Sequence, residues 1–172
     1  SGALRIDHVM ALARLYWVPQ GGEPRDGAYV RYPFEDLVGI VALESHRNRC
    51  MVIGEDLGTV PDEVRATLAR VGILSYRVLF FERQGSGEFK PPADYPAEAL
   101  VTAATHDLPT LAGYWAGRDL ALRQELGLYP AEEAHQAQVL ARAQDRARLL
   151  VALEREGLLP RAPPWTPSRC RR

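Results

Sequence analysis

The chain has 172 residues, 47% of them hydrophobic and 25% charged, with a formal net charge of -1. This is an ordinary globular composition with material for one core and one domain. No basic cluster marks a nucleic-acid footprint within the folded part, and no apolar run nears the roughly 20 residues of a membrane-spanning helix, so neither partner is expected. Two cysteines, Cys50 and Cys170, offer neither a disulfide framework nor a metal-type spacing. With no secretory segment in SGALRI at the start, a reducing cytoplasm is the expected location.

Ala3 to Ile6 reads as a short strand interrupted by Arg5, and VMALARLYW after it as the start of a helix packed beneath. Pro19 to Pro33 is dense in turn formers and reads as a long loop overhanging a site. Phe34 to Arg47 carries Phe34, Leu37, Val38 and Val41 at helical spacing, and Cys50 to Ile53 is a second strand. Pro61, Asp62 and Glu63 open a helix with Val64, Leu68 and Val71 on one face and Gly72 as its stop. Ile73 to Phe81 is a third strand, GSGEFKPPADYP a second long loop, and Leu100 to Ala104 a fourth strand. Helices follow, the last opened by Pro130 with Leu140, Ala147, Leu150 and Val151 on one face. Four strands alternating with helices predict an α/β fold with a largely parallel sheet. The tail RAPPWTPSRCRR, residues 161–172, is rich in Arg and Pro without periodicity and reads as disordered and foreign to the domain before it.

Asp7, Glu55 and Asp107 each come directly after an apolar run, which places three carboxylates on the rim where parallel sheets and barrels keep their chemistry. Gathering three charges in one cleft costs folding energy, so the arrangement points to catalysis. Two carboxylates suffice to cleave a glycosidic bond, one as nucleophile and the other as proton donor, with their carboxyls about 5 to 5.5 Å apart for retention. Asp7 and Glu55 fit these parts, and Arg5, two residues before Asp7 and on the same strand face, can hold Asp7 ionised and oriented. No metal ion or organic cofactor is required. The residues alone also allow a plainer reading, in which Asp7 and His8 cap a helix and Glu55 and Asp56 open a loop. A metal site of Asp7, His8, Glu55, His106 and Asp107 is a rival without specific spacing. Tyr16, Trp17, Tyr29, Tyr32, Tyr114 and Trp115 are candidate sugar platforms, two or three of them facing the cleft.

The segments LRIDHVM, GAYVRYP, VIGEDLGTVP, SYRVLFFE and AATHDLPTLAGYW, in this order, closely resemble the amylomaltases, the bacterial 4-α-glucanotransferases or disproportionating enzymes. The likeness runs from Ala3 to Pro160, and RIDH, EDLG and THD set the carboxylates 55 − 7 = 48 and 107 − 55 = 52 residues apart. The resemblance implies an α-amylase-like (β/α)8 barrel that transfers α-1,4-glucan segments between maltooligosaccharides. It makes Asp7 the nucleophile, Glu55 the general acid/base and Asp107 the carboxylate gripping the distorted sugar's hydroxyls, assisted by Arg5 and His106. His8, Trp17 and Tyr29 complete the expected substrate contacts. Against the family pattern, residues 1–160 correspond to strands four to seven of a partial TIM barrel, and the missing barrel half is a partner the activity needs. The same likeness leaves two alternatives for this chain, an α-glucan hydrolase and a catalytically silent glucan-binding fragment.

Overall fold

A computed structural model of the chain describes residues 2–159; the tail expectation for 161–172 lies outside the described residues. The chain divides into two compact units, Ser1–Glu82 with Pro92–Thr105 and Arg83–Pro91 with His106–Arg172. Among the described residues no helix is long and apolar enough to cross a membrane.

Among the described residues the first unit holds all the strands. β1 (Ala3–Ile6) pairs in parallel with β4 (Met51–Gly54), and β5 (Ser75–Val78) in parallel with β6 (Ala99–Thr102). An isolated parallel bridge, Ile53 to Leu74, joins the two ladders. Val52, Ile53 and Gly54 are buried, as expected for a strand covered on both faces. Gly54 is closely packed: a Cβ there would lie 3.0 Å from Val9 Cγ2 and 3.2 Å from Ile73 Cγ2, so a larger residue would push these neighbours aside. Around β4 pack α1 (Phe34–Asn48), through Val38, and α2 (Asp62–Arg70), through Val64 and Leu68. Val9, Val60 and Ile73 close this core, and the expected helix faces supply it.

The structure departs from the expectation after Asp7. Val9–Leu12 is a single 3-10 turn, and Arg14–Trp17 is a strand, β2, not a helix. It forms an antiparallel hairpin with β3 (Ala28–Arg31), so the expected loop from Pro19 to Pro33 contains a strand of its own. The physical reason is cross-strand pairing. Tyr16 stands opposite Tyr29 with ring centroids 5.1 Å apart in an edge-on arrangement, and Arg14 lies over the Tyr29 ring at 4.6 Å. The third strand is also shorter than its apolar run, since Phe81 and Glu82 turn back on Val78 through backbone bonds.

The second unit is helical, with α3 (Leu111–Ala116), α4 (Arg118–Glu125) and α5 (Glu132–Arg155). The face expected on α5 is reversed. Leu140, Ala147, Leu150 and Val151 are exposed, and Arg142, Asp145 and Leu149 occupy the inner side. Arg142 makes a two-pronged ion pair with Asp119, at 2.8 and 2.7 Å, and stacks on Tyr114 at 3.6 Å. Asp145 accepts the Tyr114 hydroxyl at 2.6 Å and the Arg83 guanidinium at 3.1 and 3.0 Å. Paired polar groups with directional bonds have taken the inner face that apolar spacing alone assigned to leucines.

Candidate active site

The ends of β1 and β4 are locked side by side. The Glu55 N–H donates to the Ile6 carbonyl at 2.9 Å, and the Glu55 carbonyl accepts the Val9 N–H at 3.0 Å. Asp7 directly follows β1 and Glu55 directly follows β4, so the parallel ladder itself sets the two carboxylates next to each other. Between them the chain turns through His8, whose φ of 46° and ψ of 57° are left-handed, an uncommon conformation for a non-glycine residue. That turn aims the His8 N–H at Glu55 Oε2, 2.9 Å away.

Glu55 is 6% exposed and fixed at both oxygens, with the Leu57 N–H donating to Oε1 at 2.7 Å. Asp7 is half exposed and paired with Arg5 Nη1 at 2.7 Å, while the Arg5 guanidinium lies 4.9 Å over the Tyr76 ring. His8 Nδ1 stands 3.3 Å from Glu55 Oε2 and Nε2 stands 3.8 Å from Asp7 Oδ2. One ligand atom from each of Asp7, His8 and Glu55 lies within 4.8 Å of the others. A buried, immobilised carboxyl thus faces an exposed, arginine-paired carboxylate.

The same three residues are the one set among the described residues compact enough to hold a metal ion. The two imidazole nitrogens face different carboxylates, which is the geometry of a bridge between them.

Of the other expected site residues, Tyr29 joins His8 and Glu55 in lining a cavity of about 280 Å³. Trp17 is exposed on the same hairpin, its indole N–H donating to the Tyr32 hydroxyl at 2.8 Å. His106 and Asp107 belong to the second unit, 3.3 Å apart and largely exposed. Asp107 lies five residues beyond Thr102, the last residue of β6, and does not follow its strand directly. Among the six candidate platforms, Tyr114 belongs to the interior of the helical unit. It is buried and committed to Asp145 and Arg142, with its pKa raised by burial and by the Asp145 carboxylate.

Asp56 is the residue whose importance the sequence hides. It is 3% exposed and accepts from the Ser75 hydroxyl at 2.7 Å, the Tyr76 N–H at 3.0 Å and Arg65 Nε at 3.3 Å, with Arg77 at 3.6 Å. Through these bonds the end of β4, and with it Glu55, is tied to β5 and α2. The only signal in the sequence is an acidic pair at a strand end, which also fits a loop start.

Residues 1–167 match the 4-alpha-glucanotransferase family. The chain is 51% identical over 159 residues to a 4-alpha-glucanotransferase of Haemophilus influenzae, covering 92% of this chain and 22% of that protein. It is 43% identical over 165 residues to one of Mycobacterium bovis, with the same two shares. Its fold matches the crystal structure of amylomaltase from Corynebacterium glutamicum with a TM-score of 0.84 and 38% identity, covering 93% of this chain and 23% of that one. The chain therefore spans less than a quarter of the length of these relatives. By the family match, the extent of identity and the shared fold, the chain belongs to the 4-alpha-glucanotransferase family.

Proposed function

We propose that this chain carries the reacting carboxylates of an enzyme that transfers α-1,4-glucan segments between maltooligosaccharides with retention at the anomeric carbon. The observation that supports it best is the approach of Asp7 to Glu55. One oxygen of each carboxylate lies within 4.8 Å of the other, an approach compatible with a retaining pair, whose carboxyl groups stand about 5 to 5.5 Å apart. In this reading Glu55 protonates the leaving 4-oxygen while Asp7 Oδ attacks the anomeric carbon, giving a glycosyl-Asp7 ester. An acceptor's 4-hydroxyl then attacks the same carbon, the carbon–Oδ bond breaks with its electron pair returning to Asp7, and Glu55 takes the hydroxyl proton. Arg5 pairs with Asp7 and orients it, and Asp107 and His106 hold the sugar's hydroxyls. No step passes through a metal.

In the same proposal β1, β4, β5 and β6 are four consecutive strands, four to seven, of a (β/α)8 barrel, and the rest of the barrel supplies further substrate contacts. The test is a chimera in which this chain replaces the matching residues of the Haemophilus influenzae relative. Incubated with maltotriose, it is expected to yield glucose and longer oligomers, and Asp7→Asn and Glu55→Gln are each expected to lower turnover by at least about 10³-fold. Turnover surviving in the Asp7→Asn chimera would overturn the assignment. Maltose and glucose appearing without any longer oligomer would favour an α-glucan hydrolase.

A further inference from the structure

The hairpin of β2 and β3 stands beside Glu55, and its aromatics Trp17 and Tyr29 are expected substrate contacts without an assigned subsite. With His8 and Glu55 its residues Arg14, Tyr16 and Tyr29 line the cavity of about 280 Å³ already described; among the described residues of that wall Asp7 is absent. The cavity thus opens onto Glu55, the proton-transferring carboxyl of the proposed chemistry. In a retaining transfer the group that Glu55 protonates, and later deprotonates, is the leaving sugar and then the incoming one, so the space next to Glu55 belongs to the acceptor.

The hairpin also presents a surface suited to a sugar. Tyr29 is 60% exposed although it sits in a paired strand, with Arg14 covering one face of its ring at 4.6 Å and Tyr16 meeting it edge-on. A ring held from one side offers its other, electron-rich face to the C–H groups of a pyranose. Tyr16 is fixed in turn, its hydroxyl donating to the Pro24 carbonyl at 2.6 Å. Gly27 leaves room for it, since a Cβ there would fall 2.5 Å from Tyr16 Cε1. Arg14 lines the cavity, and its guanidinium, lying over the Tyr29 ring, carries N–H donors at that wall.

We infer that the β2–β3 hairpin is the acceptor platform, with Tyr29 stacking the acceptor glucose and Arg14 donating to one of its hydroxyls, so that it sets the partition of the glycosyl-Asp7 ester between sugar and water. The inference rests on the roles proposed for Asp7 and Glu55 but is tested by binding, which does not need them.

The experiment titrates the 172-residue chain with maltose and follows side-chain resonances by NMR. Shifts are expected at Tyr16, Tyr29 and His8 with a dissociation constant on the order of millimolar. Tyr29→Leu, which keeps an apolar side chain in the strand but removes the aromatic face, should weaken binding about tenfold, and Tyr29→Trp should restore it. Far-UV circular dichroism of each variant checks the fold. Shifts mapping away from the hairpin, equal affinity in Tyr29→Leu, or no shift at any accessible maltose concentration would each overturn the inference. Binding that survives in Asp7→Asn while the chimera of that variant still turns over would instead overturn the proposed chemistry and leave the platform standing.

Discussion

His8 grips Glu55 twice through the same oxygen, with its backbone N–H at 2.9 Å and its ring Nδ1 at 3.3 Å from Oε2. The first contact exists only because His8 is left-handed. His8→Asn, a residue that tolerates this conformation, is expected to keep stability within about 0.5 kcal/mol of the parent. His8→Val should lose about 1 to 2 kcal/mol, because a β-branched side chain resists a positive φ. Urea unfolding of the two variants measures the difference, and equal stabilities would show that the left-handed turn is not maintained in solution.

The two carboxylates are expected to separate by chemical rescue in the full-length chimera. Asp7→Gly should be inactive on maltotriose and regain turnover with azide, yielding an inverted glycosyl azide. Glu55→Ala should still be glycosylated by an α-glucosyl fluoride, whose leaving group needs little protonation. Inverted azide product from the Glu55 variant would exchange the two assignments.

Asp56 is buried and accepts hydrogen bonds from three residues, with a fourth, Arg77, beside it, so removing its carboxylate strands donors and a guanidinium at once. Asp56→Ala is expected to cost about 3 to 5 kcal/mol, and Asp56→Asn, which keeps an acceptor for the Tyr76 N–H, less than that. The readout is denaturant unfolding, and a loss under about 1 kcal/mol for Asp56→Ala would mean that the network does not carry the β4–β5 junction.

Acid should weaken the helical unit. The Arg142 hydrogen bonds hold the Asp119 carboxyl below its ordinary value. Burial pushes Asp145 the other way, but the Tyr114 hydroxyl together with Arg83 and Arg148 outweighs it and holds that carboxyl low as well. A depressed carboxyl favours the folded state above its unfolded pKa of about 3.9, and that contribution is lost as pH falls through the folded value. Tyr114 is raised, so its contribution is complete below about pH 10 and is lost as pH rises through its folded value. Thermal melts across pH should show both flanks for the parent chain and a shallower acid flank for Asp145→Asn. An acid flank unchanged by that substitution would remove Asp145 from the account.

The α/β character, four of the strands, α1 and α2 were legible in the sequence because each carries a local signal. Val52 and Ile53 form an apolar run, Val38, Val64 and Leu68 recur at helical spacing, and Gly72 follows the end of α2. The candidates Asp7 and Glu55 were legible for the same reason, as charges placed at the ends of such runs. The residues of β2 read as helix because LYW is apolar in any periodicity, and only its partner, AYVR, eleven to seventeen residues away, makes it a strand. The inner face of α5 was misread because leucine spacing cannot reveal that Arg142 and Asp145 would find Asp119, Tyr114 and Arg83.

What the sequence determined by itself was the placing of Asp7 and Glu55 at strand ends and, through RIDH, EDLG and THD, the family. What only tertiary structure decided was how Glu55 and Asp7 differ. One is buried under the His8 and Leu57 N–H groups, and the other is exposed and paired with Arg5. Their side chains are both carboxylates, so their difference in solvent access and hydrogen bonding arises from the parallel register of β1 on β4 and the left-handed turn at His8, which come into being only when the two strands meet.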